Sequence, residues 1–334
     1  MTRLSFARCA LGAMTLALAG TAFAAPDDAR STPPPDKSLS AWLERLHEAA
    51  RRRAYIGTFV VSSGAEMAAS KIWHVCDGSQ QYERIETLTG APRTTIRRND
   101  EVVTFAPDLK VALRERREAL RLFPDLLRNP GQPIEALYSA RGVGQERVAG
   151  YDALVVDFVP KDALRYGYRI WSEKATGLVL KLQTRDAAGQ VLEQVAFTEL
   201  QLDAPVKMDA LARQMENTAG YQVVKPELRK TTPEAEGWRL KADVAGFQSM
   251  SCHSRREPAA RAAPAVQWVF SDGLASVSLF LETFDAKRHT KEKVVSAGAT
   301  HSVSRRLGEH WVTAMGEVPP ETLGQFVQAL ERTR

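Results

Sequence analysis

Apolar residues along this 334-residue chain recur mainly at every second position, and helical spacing replaces that pattern in only a few stretches. The clearest case is the run from Tyr166 to Asp186. Tyr166, Tyr168 and Ile170 alternate with Gly167, Arg169 and Trp171. After a polar stretch from Glu173 to Gly177, Leu178, Leu180 and Leu182 alternate with Val179, Lys181 and Gln183. Such alternation predicts a hairpin with one apolar face. Further strands are predicted at Tyr55 to Val61, Lys71 to Val75, Gln80 to Leu88, Arg93 to Arg98, Glu101 to Phe105, Gly144 to Val148, Leu154 to Pro160 and Val191 to Leu200, separated by turn residues such as Asp77-Gly78 and Asn99-Asp100. Leu39, Trp42, Leu43, Leu46 and Ala50 follow helical spacing behind Ser38, a good N-cap. Helical segments are also predicted from about Arg114 to Tyr138 and from Met208 to Asn217.

The pattern breaks near Asp203-Ala204-Pro205, and Lys225 to Trp238 is charged, proline-bearing and without period. Beyond it lie strands at Val266 to Ser271, Leu274 to Phe284, Thr300 to Leu307 and His310 to Val318. A last helix opens at Pro320, with Leu323, Phe326, Val327 and Leu330 on one face. The fold class read from these elements is α+β in two domains. A large curved antiparallel sheet, its concave side covered by helices, is expected over residues 38–205, and a linker over 206–231. A smaller antiparallel sheet with a C-terminal helix is expected over 232–334.

The first residues belong to neither domain. Arg3 and Arg8 precede a short apolar stretch, and Ala22-Phe23-Ala24 is a small-x-small site, so residues 1–24 read as a signal peptide. Residues 25–37 are rich in Pro and Asp, a disordered lead-in. An exported chain of a Gram-negative cell is expected in the periplasm. The net charge falls from +5 to +3 once Arg3 and Arg8 leave with the leader. That mild excess, with basic clusters alternating with acids, argues against nucleic acid and leaves lipid phosphates or an acidic protein segment as partners for any functional arginine.

After the leader, Cys76 and Cys252 remain, to be read either as one disulfide or as two buried free thiols. His74 and His253 stand near them, but the spacing is wrong for structural zinc, and no metal or cofactor is expected. No nucleophile elbow, metalloprotease helix, Walker loop or dinucleotide fingerprint occurs, so the chain is not read as an enzyme. Aromatic residues on the first domain's strands fill a core or line an apolar cavity, and composition does not choose between them.

Four runs in order carry a family resemblance: "YIGTFVV" at Tyr55 to Val61, "TIRRNDEVVTFAPD" at Thr95 to Asp108, "LRYGYRIWSEKATGLVLKLQTRDAAGQVLEQVAFTEL" at Leu164 to Leu200, and "FSDGLASVSLFLE" at Phe270 to Glu282 after Gly246-Phe247. Together they resemble the RseB/MucB family of periplasmic regulators of stress sigma factors. The resemblance implies a LolA/LolB-like half-barrel followed by a smaller domain. It implies binding to the periplasmic part of a RseA/MucA-type anti-sigma factor, which is shielded from site-1 proteolysis until mislocalised lipopolysaccharide or lipoprotein releases it. Under that reading the first sheet takes acyl chains on a face including Phe59, Val61, Tyr166, Tyr168, Leu180 and Leu182. The second domain holds the anti-sigma factor through Arg255, Arg256, Trp268 and Phe270. The alternative is a periplasmic lipoprotein carrier of LolA type, and whether the chain is a homo-oligomer stays open. Leu180→Asp is expected to be damaging and Arg169→Asp silent if Leu180 faces inward.

Overall fold

The period-two stretches form strands, and several polar segments join them. The computed structural model describes residues 39–116, 123, 134–256 and 265–333. The first part of the chain contains α1 (Leu39–Arg52), β1 (Tyr55–Ser63), β2 (Glu66–Cys76), β3 (Gln81–Thr87), β4 (Thr94–Arg98), β5 (Glu101–Ala106), β6 (Val111–Arg116), α2 (Ile134–Leu137), β7 (Tyr138–Val148), β8 (Tyr151–Pro160), β9 (Gly167–Glu173), β10 (Val179–Arg185), β11 (Val191–Leu202), α3 (Met208–Glu216) and β12 (Gln222–Val224). Among the described residues its strands make one twelve-stranded sheet in the order β12, β6, β5, β4, β3, β2, β1, β11, β10, β9, β8, β7. The pairing is antiparallel except between β12 and β6, which run parallel.

Register decides which side chains share a face, because opposed residues point the same way and neighbours alternate. Val61 lies opposite Val195, Val195 opposite Leu182, Leu182 opposite Ile170, and Ile170 opposite Val156. This row is covered by α1. Leu39, Trp42, Leu43 and Leu46 pack with Phe158, Tyr168 and Ile170, and Trp42 stacks on Phe158 at 5.7 Å. Ala49 and Ala50 pack with Tyr55, Phe197 and Leu180. Each large apolar side chain removed from water in this way contributes about 1.5–3 kcal/mol. Glu135 of α2 accepts hydrogen bonds from the Ser40 amide and hydroxyl, which fixes the start of α1.

Helix α3 lies on the other face. Its Leu211 and Met215 pack with Tyr82, Ile96, Val103, Phe105 and Ala112. Tyr82 is the sequence neighbour of Glu83, which through His74 shares the face of Tyr55. The expectation that the helices all cover one concave side is therefore corrected. The twelve strands are too wide for one short helix, and the second apolar patch needs its own cover.

The second part contains β13 (Glu227–Lys230), β14 (Trp238–Leu240), β15 (Gln248–Arg256), β16 (Ala265–Ser271), β17 (Ser276–Thr283), β18 (Lys293–Ala297), β19 (Thr300–Leu307), β20 (His310–Gly316), α4 (Pro320–Ala329) and β21 (Leu330–Arg332). Among the described residues seven strands form a sheet in the order β13, β15, β16, β17, β20, β19, β18, and β14 pairs with β21. Phe326 of α4 sits against Phe270 at 4.9 Å and Phe247 at 5.5 Å. The segment read as a linker is largely ordered. Helix α3 and β12 belong with the first sheet and β13 with the second, so the chain crosses between Val224 and Glu227.

Where the sheets meet, Arg165 and Asp272 are both fully buried, 2.7 Å apart. Arg165 also donates to Asp162 and to the carbonyl of Ala245, and the Tyr138 hydroxyl donates to Asp272 at 3.1 Å. The other Asp272 oxygen accepts the amides of Leu274 and Ala275, which closes the β16–β17 turn. That turn places Leu274 in the core beneath α1. Gly246 has φ +80°, and a Cβ there would stand 2.7 Å from both Arg165 and Leu137, so only glycine lets the backbone pass this close. Asp272→Asn should leave the Arg165 charge buried without its main partner and cost about 3–5 kcal/mol, read as a lower denaturation midpoint in urea.

Candidate functional site

The apolar face under α1 carries five of the six residues expected to meet lipid. Phe59, Tyr168 and Leu180 are buried there, and Val61 and Leu182 are half-buried. Phe123 packs over them: its ring lies 4.9 Å from Phe197 and 5.8 Å from Phe59, and it touches both core clusters. Its neighbours in the predicted helix from Arg114 to Tyr138 mostly lie outside the described residues. Of that prediction, Val111–Arg116 forms a strand and Ile134–Leu137 a single helical turn. The remaining residue, Tyr166, is not part of this face's core. It stands before β9, and its hydroxyl bonds Nε2 of His301 at 2.8 Å, across the junction between the sheets.

The opposite face of the same strands is charged. Asp157 is buried yet ionised, with Arg169 donating to its carboxylate at 2.5 and 2.8 Å and Arg141 at 3.1 Å. Burial alone would raise its pKa, but the two guanidinium groups hold it below the ordinary carboxylate range. Arg169 does face away from Leu180, yet it is not a neutral outer position, because an aspartate there would stand against Asp157. The expectation that Arg169→Asp is silent is corrected on that ground.

In the second sheet, Trp268 and Phe270 are largely buried, with ring centres 4.6 Å apart, and the Trp268 indole donates to Ser249 at 2.8 Å. They border a cavity of about 200 Å³ that also reaches Phe247, Arg239, Glu234 and Asp243. The two arginines expected beside them do not join them in one cluster. Trp268 opposes Cys252, so Arg255, three positions on, lies on the other face, and Arg256 is exposed at the strand end. Cys76 and Cys252 are both free thiols, one closing β2 of the first sheet and the other inside β15 of the second, so the disulfide alternative is not formed. Burial, with Glu236 and Glu234 nearby, pushes the Cys252 thiol up to about 11.

The junction also holds titratable groups that sequence reasoning passed over. His301 bonds Tyr166 on one side and Ser296 on the other, and burial lowers its pKa from the ordinary 6.5 while Glu321 pulls the other way. Burial pushes Tyr166 up to about 12, with Glu321 and Asp186 adding to the effect. Glu193 is raised from 4.5 by burial and by Glu317. Nothing in the local pattern around Asp272 or His301 marks them as partners of residues more than a hundred positions away. The only signal was the run of polar side chains on otherwise apolar strands.

Comparison with known proteins covers both sheets. The MucB/RseB N-terminal domain model matches residues 38–215 and the MucB/RseB C-terminal domain model residues 232–331. The chain is 32% identical over 286 residues to the sigma factor AlgU regulatory protein MucB of Pseudomonas aeruginosa, covering 84% of this chain and 86% of the relative. It is 23% identical to the sigma-E factor regulatory protein RseB of Escherichia coli, with 96% of each chain covered. A crystal structure of MucB in complex with MucA(peri) superposes with TM-score 0.67 at 29% identity, covering 89% of this chain and 100% of that one. The Pseudomonas aeruginosa MucA/MucB complex gives 0.68 at 29% identity, with 88% and 99% covered.

Leu180→Asp should place a carboxylate in a fully buried site and cost more than about 4 kcal/mol, whereas Gln201→Glu, at an exposed position on the opposite face, should stay within about 0.5 kcal/mol. Thermal unfolding of the two variants checks this. The unfolded chain protonates His301 near pH 6.5 and the folded chain only at lower pH, so the contribution of His301 is complete above 6.5 and declines as pH falls. Glu193 works in the other direction, stabilising at acid pH and costing stability as pH rises through its raised pKa. His301→Asn should therefore lose less stability than the parent chain between about pH 7 and 5.5, measured by urea unfolding at each pH.

Proposed function

Because the chain belongs to the MucB/RseB family, we propose that it is a periplasmic regulatory binding protein that holds the periplasmic part of a RseA/MucA-type anti-sigma factor. Holding that segment shields it from site-1 proteolysis and keeps the sigma factor restrained. The observation that carries this reading is the extent of the likeness. The structures of MucB with MucA match both sheets of this chain at once, at 29% identity. A carrier of LolA type would need only the first sheet. The proposed anti-sigma site lies on the second sheet and its junction with the first.

Release by lipid follows from the first sheet. The face of Phe59, Val61, Tyr168, Leu180 and Leu182 is apolar over five strands, and an acyl chain entering it would compete with Phe123 for the same contacts. Lipopolysaccharide or a lipoprotein releases the partner only in so far as it binds the free chain more tightly than the occupied one. Cutting the chain after residue 231 is a poor way to separate the two roles, since it removes Asp272 from Arg165 and Leu274 from the first core.

The full chain, immobilised after removal of its leader, should retain the periplasmic domain of Pseudomonas aeruginosa MucA. Added lipopolysaccharide should weaken that binding by roughly five- to a hundredfold, the span of ordinary coupling energies. Absence of binding overturns the regulatory reading, and binding unchanged by lipopolysaccharide overturns release by that lipid.

A further inference from the structure

The cavity of the second sheet has an unusual lining for a basic chain. Its floor is aromatic, with the rings of Trp268 and Phe270 tilted at 40° to each other, 4.6 Å between centres, and Phe247 beside them. Its rim carries two carboxylates, Glu234 and Asp243, both exposed. Among the described residues the cation on the rim is Arg239, and it is committed elsewhere, since it binds Glu331 at 2.6 to 2.7 Å. The opening is therefore locally negative above rings whose faces attract cations. At about 200 Å³ the cavity is smaller than the roughly 300–1,000 Å³ of small-molecule sites, so it suits a single side chain.

The same domain already shows how it handles such a group. The guanidinium of Arg165 lies over Phe247 at 5.1 Å, and that of Arg332 over Trp238 at 5.0 Å. Charge complementarity then selects the occupant. A leucine or phenylalanine would fill the floor but leave both carboxylates unanswered, an acidic side chain would be repelled, and a long basic side chain satisfies floor and rim together.

We propose that this cavity is a docking pocket for one arginine side chain of a bound protein segment, with the guanidinium stacked on the aromatic floor and paired with Glu234 and Asp243. The inference rests on the reading of the chain as a segment-binding regulator for its biological partner, but the pocket's chemistry stands on its own lining. It is distinct from the apolar face under α1, and it gives Trp268 and Phe270 a recognition role in addition to their place in the core.

The indole N–H of Trp268, which donates to Ser249 at the cavity wall, is the reporter, assigned by its loss in Trp268→Phe. The full chain is titrated with N-acetylarginine methylamide, and in parallel with the leucine and glutamate analogues. The arginine compound should shift the signal saturably, the others should not, and Glu234→Gln with Asp243→Asn should weaken the arginine effect by about fivefold or more. No saturable shift with arginine, or an equal shift with leucine, overturns the pocket. The same double variant should weaken retention of the MucA periplasmic domain by a similar factor. If the parent chain binds arginine but never retains that domain, the regulatory reading falls while the pocket stands. If it retains the domain and arginine produces no shift, the pocket falls alone.

Discussion

The buried pair of Arg165 and Asp272 governs how the two sheets are held. Two charges withdrawn from water cost several kcal/mol each, and the pair compensates only when its remaining hydrogen-bonding positions are filled. Here they are filled from both parts of the chain: Asp162 and Ala245 meet the guanidinium, and Tyr138, Leu274 and Ala275 meet the carboxylate. The net stabilisation from such a pair is small, but the cost of breaking it is large. What it fixes is geometry, since the β16–β17 turn supplies the carboxylate that meets Arg165. Leu274 then enters the core under α1 as a consequence of that placement, so the second sheet's turn supplies a side chain to the core of the first.

The strands with apolar alternation could be read along the chain, and their faces too. Leu180 and Leu182 share the side of Phe59 because the pleat leaves no other choice once the hairpin forms. Segments whose partners supply the apolar surface could not be read. In "QSMSCHSRR" of β15 only Cys252 and Ser254 are buried, and the strand exists because Trp268 and Val266 oppose them. In "VALRER" of β6 the charges looked helical, yet Arg114 pairs with Glu101 on the neighbouring strand at 3.1 Å. Tyr166 shows the limit for site residues. Its parity matched Tyr168, but one step beyond the strand its hydroxyl reaches His301 of the other sheet. Face assignment is a local property, whereas contact across sheets depends on turns far away in the chain.

A ligand on one sheet can affect a partner on the other only through an element that both contact. The described structure contains such an element at the junction: Tyr138 and Tyr168 lie in the core beneath α1, 6.1 Å apart, and Tyr138 bonds Asp272 at the base of the second sheet. Tyr168 thus packs against the tyrosine that holds Asp272. Closely packed cores resist smooth deformation, so a displacement of Tyr138 would bear directly on the Arg165 pair. Linkage is reciprocal, so if a segment on the second sheet stabilised that pair and a ligand beneath α1 broke it, each would weaken the other to the same degree. Arg165 thereby touches both ends of this contact chain, the Asp272 that Tyr138 holds and the Phe247 ring of the second sheet. It donates to Asp272 and lies over the Phe247 ring that borders the pocket, so a break in the pair would be felt at the pocket floor without any change in the residues that line its rim.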